Sequence, residues 1–195
     1  MKDFSIEDIK NNVSTKPLRS LGSNIVTHRL QKVKDGYAYK PTFLLVSAYL
    51  LMFLIGLVLV GYAIFKMVTT NSFSILEESY IMTGIGILFF IIGIYIVYSL
   101  FIPIKFDTSI NRFYRSFNTN HKKKSAHFKD IVALQILGEL VPNGESNENE
   151  YKSYEVNLVL QDGSRINLID YTNLDSITKD TNTLSTFLNV PIWKV

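Results

Sequence analysis

The chain contains no cysteine. Disulfide staples, thiolate nucleophiles and Cys-ligated metals are excluded at once. Histidine is scarce: His28, His121 and His127 are the only ones, and no two stand at HxH or HxxxH spacing. Nothing therefore reads as a zinc site. No GxSxG, P-loop or GxGxxG pattern falls between a strand and a helix, since Gly84-Ile85-Gly86 lies inside an apolar run. The most informative absence is local. Two long stretches hold no charge at all, and they organise everything around them.

The first stretch is Phe43 to Phe65 (FLLVSAYLLMFLIGLVLVGYAIF), and the second is Tyr80 to Ile104 (YIMTGIGILFFIIGIYIVYSLFIPI). At ~1.5 Å rise per residue, the shorter run reaches about 34 Å as a helix, enough for a ~30 Å hydrocarbon core. A small soluble domain has little use for two such helices. The first run is too long for a signal h-region and has no obvious cleavage site after it, so it is expected to be retained. Pro41 suits a first helical turn, and Pro103 ends or kinks the second helix. Tyr49, Tyr62, Tyr80, Tyr95 and Tyr98 lie in or beside the spans, where the outer ones suit the headgroup level.

The predicted fold class is a membrane α-helical hairpin plus a small α+β domain. Residues 1–41 read as a cytoplasmic N-terminal segment. Residues 42–104 form the hairpin, with spans at 43–65 and 80–104 and an external loop at 66–79. Residues 105–195 form the domain. Orientation follows from Lys and Arg near the span ends. Arg29, Lys32, Lys34 and Lys40 precede the first span, and Lys105, Arg112, Arg115, Lys122, Lys123 and Lys124 follow the second. The connecting loop has Lys66 with Glu77 and Glu78. The positive-inside rule places both termini in the cytoplasm.

Neither span contains an ionisable side chain, which argues against a transporter or proton relay. A single hairpin lines a pore only as a homo-oligomer. Gly56 and Gly61 on the first helix, and Gly84, Gly86 and Gly93 on the second, form no strict GxxxG pair. Gly56, Gly61, Gly86 and Gly93 are the expected helix–helix contacts.

In the domain, Phe106-Asp107 ends a short strand. Arg112 to Phe117 (RFYRSF) alternates as a second strand. Lys129 to Val141 reads as a strand bent at Gly138, and Pro142 to Ser153 as a polar loop. Tyr154 to Leu160 and Arg165 to Asp170 alternate about a Gln161-Asp162-Gly163-Ser164 turn, which predicts a hairpin of half-buried strands. Leu174, Ile177, Leu184, Phe187 and Leu188 recur at helical spacing, with Asn173 or Asp175 as cap and Asn189 as the end. Trp193 is expected on the sheet or at the membrane interface. A sheet of hairpins closed by one C-terminal helix resembles the pleckstrin-homology-like (PH-like) architecture.

Three patches carry a further resemblance. Tyr154 to Trp193 (YEVNLVLQDGSRINLIDYTNLDSITKDTNTLSTFLNVPIW), Ser23 to Leu30 (SNIVTHRL) and Ile131 to Glu139 (IVALQILGE) are similar to a family of uncharacterised two-span bacterial inner-membrane proteins. The family usually has a glycine where this chain has Leu21. The resemblance implies architecture and no chemistry. Small two-span proteins of this kind also include immunity partners of secreted toxins, which leaves a toxin or a membrane complex open as protein partner.

No residues converge on catalysis. Ser164, Asp162, Asp170 and Asp175 sit at turns or helix starts, where local hydrogen bonding accounts for them. No cofactor is implied, and the expected function is non-enzymatic. The positive signal is basic. Lys105, Arg112, Arg115, Lys122, Lys123 and Lys124 follow the second span closely and could hold the domain against anionic headgroups of the lipid bilayer. Nucleic acid is not expected, because the patch is short and lacks aromatic stacking partners.

Overall fold

The fold is given by a computed structural model, in which residues 5–18, 26–70, 76–142 and 150–194 are described. The chain divides into two compact units, Pro41–Ile102 and the combination of Met1–Lys40 with Pro103–Val195.

The first unit is a pair of helices, α2 (Phe43–Thr70) and α3 (Leu76–Leu100). Both are long and apolar enough to cross a membrane, over Phe43–Lys66 and Thr83–Leu100. Within these spans many exposed side chains are large and apolar, including Leu51, Val58, Phe65, Leu88 and Ile91. Such faces suit lipid and not water. The helices run further into the connecting region than the hydrophobic pattern alone suggests, and residues 71–75 lie outside the described set. Pro41 is not the first turn of α2: it ends a strand. Thr42 caps the helix instead, its hydroxyl accepting from Leu45 N–H at 3.4 Å and its carbonyl from Val46 N–H at 3.1 Å. At the other end, Phe101 and Ile102 N–H groups turn back to the Tyr98 and Ser99 carbonyls at 3.1 and 3.3 Å. Pro103 follows, and Ile104 already belongs to a strand. The second helix therefore stops at Leu100, short of the expected Ile104.

The second unit is a mixed β-sheet domain with a C-terminal helix. Its elements in chain order are a short helix α1 (Ile6–Asn12), strands β1 (His28–Val33) and β2 (Gly36–Pro41), then, beyond the hairpin, β3 (Ile104–Asp107), β4 (Arg112–Arg115), β5 (Ser125–His127), β6 (Ile131–Pro142), β7 (Glu150–Leu160), β8 (Arg165–Tyr171), helix α4 (Leu174–Leu188) and β9 (Ile192–Lys194). One sheet has the order β1-β2-β3-β4-β5 and the other β8-β7-β6-β9. Both contribute to one core with α4: Phe106 and Phe113 from the first sheet, Leu134, Leu158 and Leu168 from the second, and Ile177 and Leu184 from the helix are all completely buried.

Residues 1–41, expected to be a segment apart, instead supply α1, β1 and β2 to this unit. The reason is pairing across the hairpin. β2 lies antiparallel to β3, with Gly36 opposite Asp107 and Tyr39 opposite Ile104. The whole helical hairpin is an insertion between two neighbouring strands.

The sequence-level hairpin is β7–β8, with Gly163 at φ 77° in its turn. The turn is tied by Ser164 N–H and Oγ donating to Asp162 Oδ1 at 2.9 and 2.5 Å. The irregularity in β6 falls at Val132, between Ile131 and Ala133, and not at the expected Gly138, which pairs regularly with Tyr154. β4 stops at Arg115 instead of Phe117. β7 begins at Glu150, inside the stretch read as loop, while residues 143–149 lie outside the described set. α4 starts and ends where its caps indicate. Asn173 Oδ1 accepts from Ser176 N–H at 2.9 Å, and Asn189 takes the left-handed conformation at φ 55°, which asparagine tolerates better than most residues.

Candidate functional site

Of the six basic residues singled out in the sequence, three turn inward to hold the domain together. Lys105 Nζ donates to Asp107 Oδ2 at 2.6 Å and lies 3.9 Å from Asp35. Burial would raise the Asp107 carboxyl, but the hydrogen bonds from Lys105 and Ser109 prevail and hold it at about 2. The same hydrogen bond to Asp107 raises Lys105. Arg112 Nη1 donates to the Thr119 carbonyl at 3.1 Å and to Asn120 Oδ1 at 2.6 Å. Its Nη2 meets His127 Nε2. Arg115 Nη1 reaches from β4 to Asn167 Oδ1 in β8 at 2.7 Å, bridging the two sheets.

Lys122, Lys123 and Lys124 are exposed. They sit in the β4–β5 loop, which local bonds shape. Asn118 Oδ1 accepts from Asn120 N–H at 3.0 Å, and the His121 carbonyl accepts from Lys124 N–H at 2.9 Å and Ser125 Oγ at 3.0 Å. The register fixes where the loop leaves the sheet. Tyr39, Ile104 and Arg115 stand in one row across β2, β3 and β4. The chain passes from β2 toward α2 just beyond Tyr39 and arrives from α3 at Ile104. The β4–β5 loop departs beyond Arg115, at the same end of the sheet. Phe117, on that loop, is 55% exposed.

Three of the four glycines singled out on the helices lie against the opposite helix. A Cβ on Gly56 would come 2.7 Å from the Phe90 backbone nitrogen, one on Gly86 2.9 Å from Leu59 Cβ, and one on Gly93 3.0 Å from Phe53 Cα. Gly61 has open space around it, as does Gly84. The close approach lets the Phe53 and Phe90 rings stack at 5.5 Å between centroids.

Two groupings were missed at the sequence level. The first centres on Tyr171, almost fully buried. Its hydroxyl lies 2.7 Å from Asp180 Oδ2 and 3.0 Å from the His28 carbonyl oxygen, one proton facing two acceptors. Burial and the Asp180 bond push the hydroxyl well above its usual range. Burial, helped by the charge of Arg115, lowers the His28 imidazole to about 4, so it stays neutral. The second grouping is the outer face of β6 and β7. Gln135, Glu155 and Asn157 belong to the face that alternation assigns to water, yet they are 0, 2 and 0% exposed. α1 and the residues after it lie over this face. Ile9 and Val13 pack with Ala133, Val159 and Trp193, which also places Trp193 on the sheet. The available signal was the Ser5–Asp8 capping pair followed by Ile9 and Val13 four apart, an amphipathic turn ready to dock.

Among the described residues, no three His, Asp or Glu side chains gather as a metal ion would require. No protein-family model, curated protein or solved structure matches this chain.

Proposed function

We propose that the chain is a non-enzymatic bacterial inner-membrane protein whose soluble unit is a PH-like domain at the cytoplasmic face, where its β4–β5 loop binds the anionic surface of the bilayer. The observation that carries this reading is the row Tyr39–Ile104–Arg115. It puts Lys122, Lys123 and Lys124 at the end of the sheet to which both membrane helices are covalently tied. Each lysine near an anionic leaflet contributes ~1 kcal/mol, and the effect fades within a Debye length. An exposed aromatic on the same loop suits the headgroup region.

The pairing of β2 with β3 also supports a hairpin whose two ends return to one side of the membrane, and the Lys and Arg distribution makes that side cytoplasmic. Packed sheets with a C-terminal helix support the PH-like reading as one of architecture, which by itself fixes no ligand.

Because there is no native cysteine, a spin label on Thr119→Cys reports on the loop alone. In full-length protein reconstituted into nanodiscs, the label should be shielded from a water-soluble relaxation agent when the lipid is anionic. It should become accessible in high salt, or when Lys122, Lys123 and Lys124 are changed to Gln. Equal accessibility in anionic and zwitterionic discs would remove the lipid role. A reporter fused after Val195 that reads periplasmic would overturn the orientation.

A further inference from the structure

The polar patch on the second sheet is covered in an unusual manner. Gln135 Nε2 donates to the Ser14 carbonyl at 3.1 Å. Arg165 Nη2 donates to the Lys16 carbonyl at 2.8 Å, while its Nη1 donates to Gln135 Oε1 at 3.0 Å. The Leu18 N–H donates to Glu155 Oε1 at 2.9 Å. All three contacts with residues 14–18 reach main-chain atoms, and the side chains of Ser14, Thr15 and Lys16 are exposed. The sheet is holding a backbone, with little regard for which residues carry it.

The fit is incomplete at one place. Asn157 Nδ2 donates to Glu155 Oε1 at 2.6 Å, but Asn157 Oδ1 is buried without a hydrogen-bond partner. A buried acceptor left unpaired is unfavourable.

Among the described residues, the apolar part of the attachment is small: Ile9 and Val13 against Ala133, Val159 and Trp193, with Val132 partly buried beside them. Lifting the segment would return Gln135, Glu155, Asn157 and Arg165 to water, which accepts them readily. Few apolar contacts over a face that tolerates solvent is the profile of a region that opens well below global unfolding.

We infer that α1 and residues 14–18 are a displaceable cover, and that the polar patch of Gln135, Asn157, Glu155 and Arg165 beneath it is a binding groove for an irregular, strand-free polypeptide segment of a partner protein. The groove recognises main-chain N–H and C=O groups, and the chain's own N-terminal region occupies it as an internal, imperfect ligand.

The test uses the full-length protein in detergent, with a fluorescent peptide of residues 5–18 as probe. Ile9→Asp should loosen the cover, and that variant should bind the peptide at least tenfold more tightly than the unmodified chain does. Adding Arg165→Ala should abolish the gain. Hydrogen exchange on the unmodified chain gives an independent check, with the Ile9 and Val13 amides exchanging well before those of Leu134 and Val156. Exchange of both sets together would overturn the inference. So would a folded Ile9→Asp chain that binds no peptide, or binding indifferent to Arg165. A stable dimer that excludes the peptide would make a second copy the occupant and overturn the partner reading.

Discussion

Tyr171 in β8 and Asp180 in α4 are joined by a hydrogen bond of 2.7 Å beneath a side chain that is 1% exposed. The bond fastens the C-terminal helix to the second sheet, and the nearby His28 carbonyl brings β1 to the same point. Tyr171→Phe keeps the ring and removes the donor. It should destabilise the domain by about 1–3 kcal/mol, because a bond to a charged acceptor is lost and two acceptors are left short. Denaturant midpoints of the two proteins, measured by tryptophan fluorescence, would show the difference; identical midpoints would mean that the bond adds nothing.

His28 sets a pH dependence. Its imidazole is held neutral in the native state at about 4, against 6.5 when unexposed to the fold's influence. Between those values the unfolded chain binds the extra proton and the folded chain does not, so stability rises with pH through that window and falls as pH drops from about 6.5 toward 4. His28→Gln should flatten the stability–pH curve over that range. A curve with the original slope would assign it to other groups. Asp107 acts lower down: its depressed carboxyl contributes stability above about 3.8 that is lost as pH falls toward about 2, and Lys105→Gln should move that loss to higher pH.

The membrane helices offer a paired contrast. Gly56→Ala pushes a methyl group against the Phe90 backbone, where no flexible side chain can yield. A loss of about 1–3 kcal/mol is expected from overpacking. Gly61→Ala meets open space and should be neutral or stabilising by up to about 1 kcal/mol through helix propensity. Thermal unfolding in detergent would rank the two, and equal effects would contradict the helix contact.

Within the domain, Leu158 is completely buried while Leu174 is 47% exposed. Leu158→Ala should cost about 2–5 kcal/mol, and Leu174→Ala within about 0.5 kcal/mol of nothing. Chemical denaturation of each variant gives the comparison directly.

These contrasts also show which parts of the fold a single sequence discloses. β7 and β8 were legible because alternation and an Asp-Gly turn are local signals, and α4 because its caps and stripe are local too. The two apolar helices were legible from length and missing charge. The partnership of β2 with β3 was not, since the helical hairpin separates them and no short-range pattern connects Tyr39 with Ile104. Alternation puts Glu155 and Asn157 on the solvent side of their strand, yet both are buried. It could not disclose that residues 14–18 lie on them. The basic residues show the same limit: charge alone groups Arg112 and Arg115 with Lys122, Lys123 and Lys124, and only the fold reveals that the arginines are engaged at Asn120, His127 and Asn167.

The insertion of the helices between β2 and β3 has a consequence for the order of synthesis. β2 gains its second partner, β3, only after the whole of Pro41–Ile102 has been made. At ~5–20 residues per second, roughly 60 residues take about 3–12 s. During that interval β1 and β2 hang as a nascent ribbon with an open edge while the greasy segments are being delivered to the bilayer. The domain can close only when the second helix has emerged and returned the chain to where it started, so a successful round trip through the membrane becomes a precondition for folding.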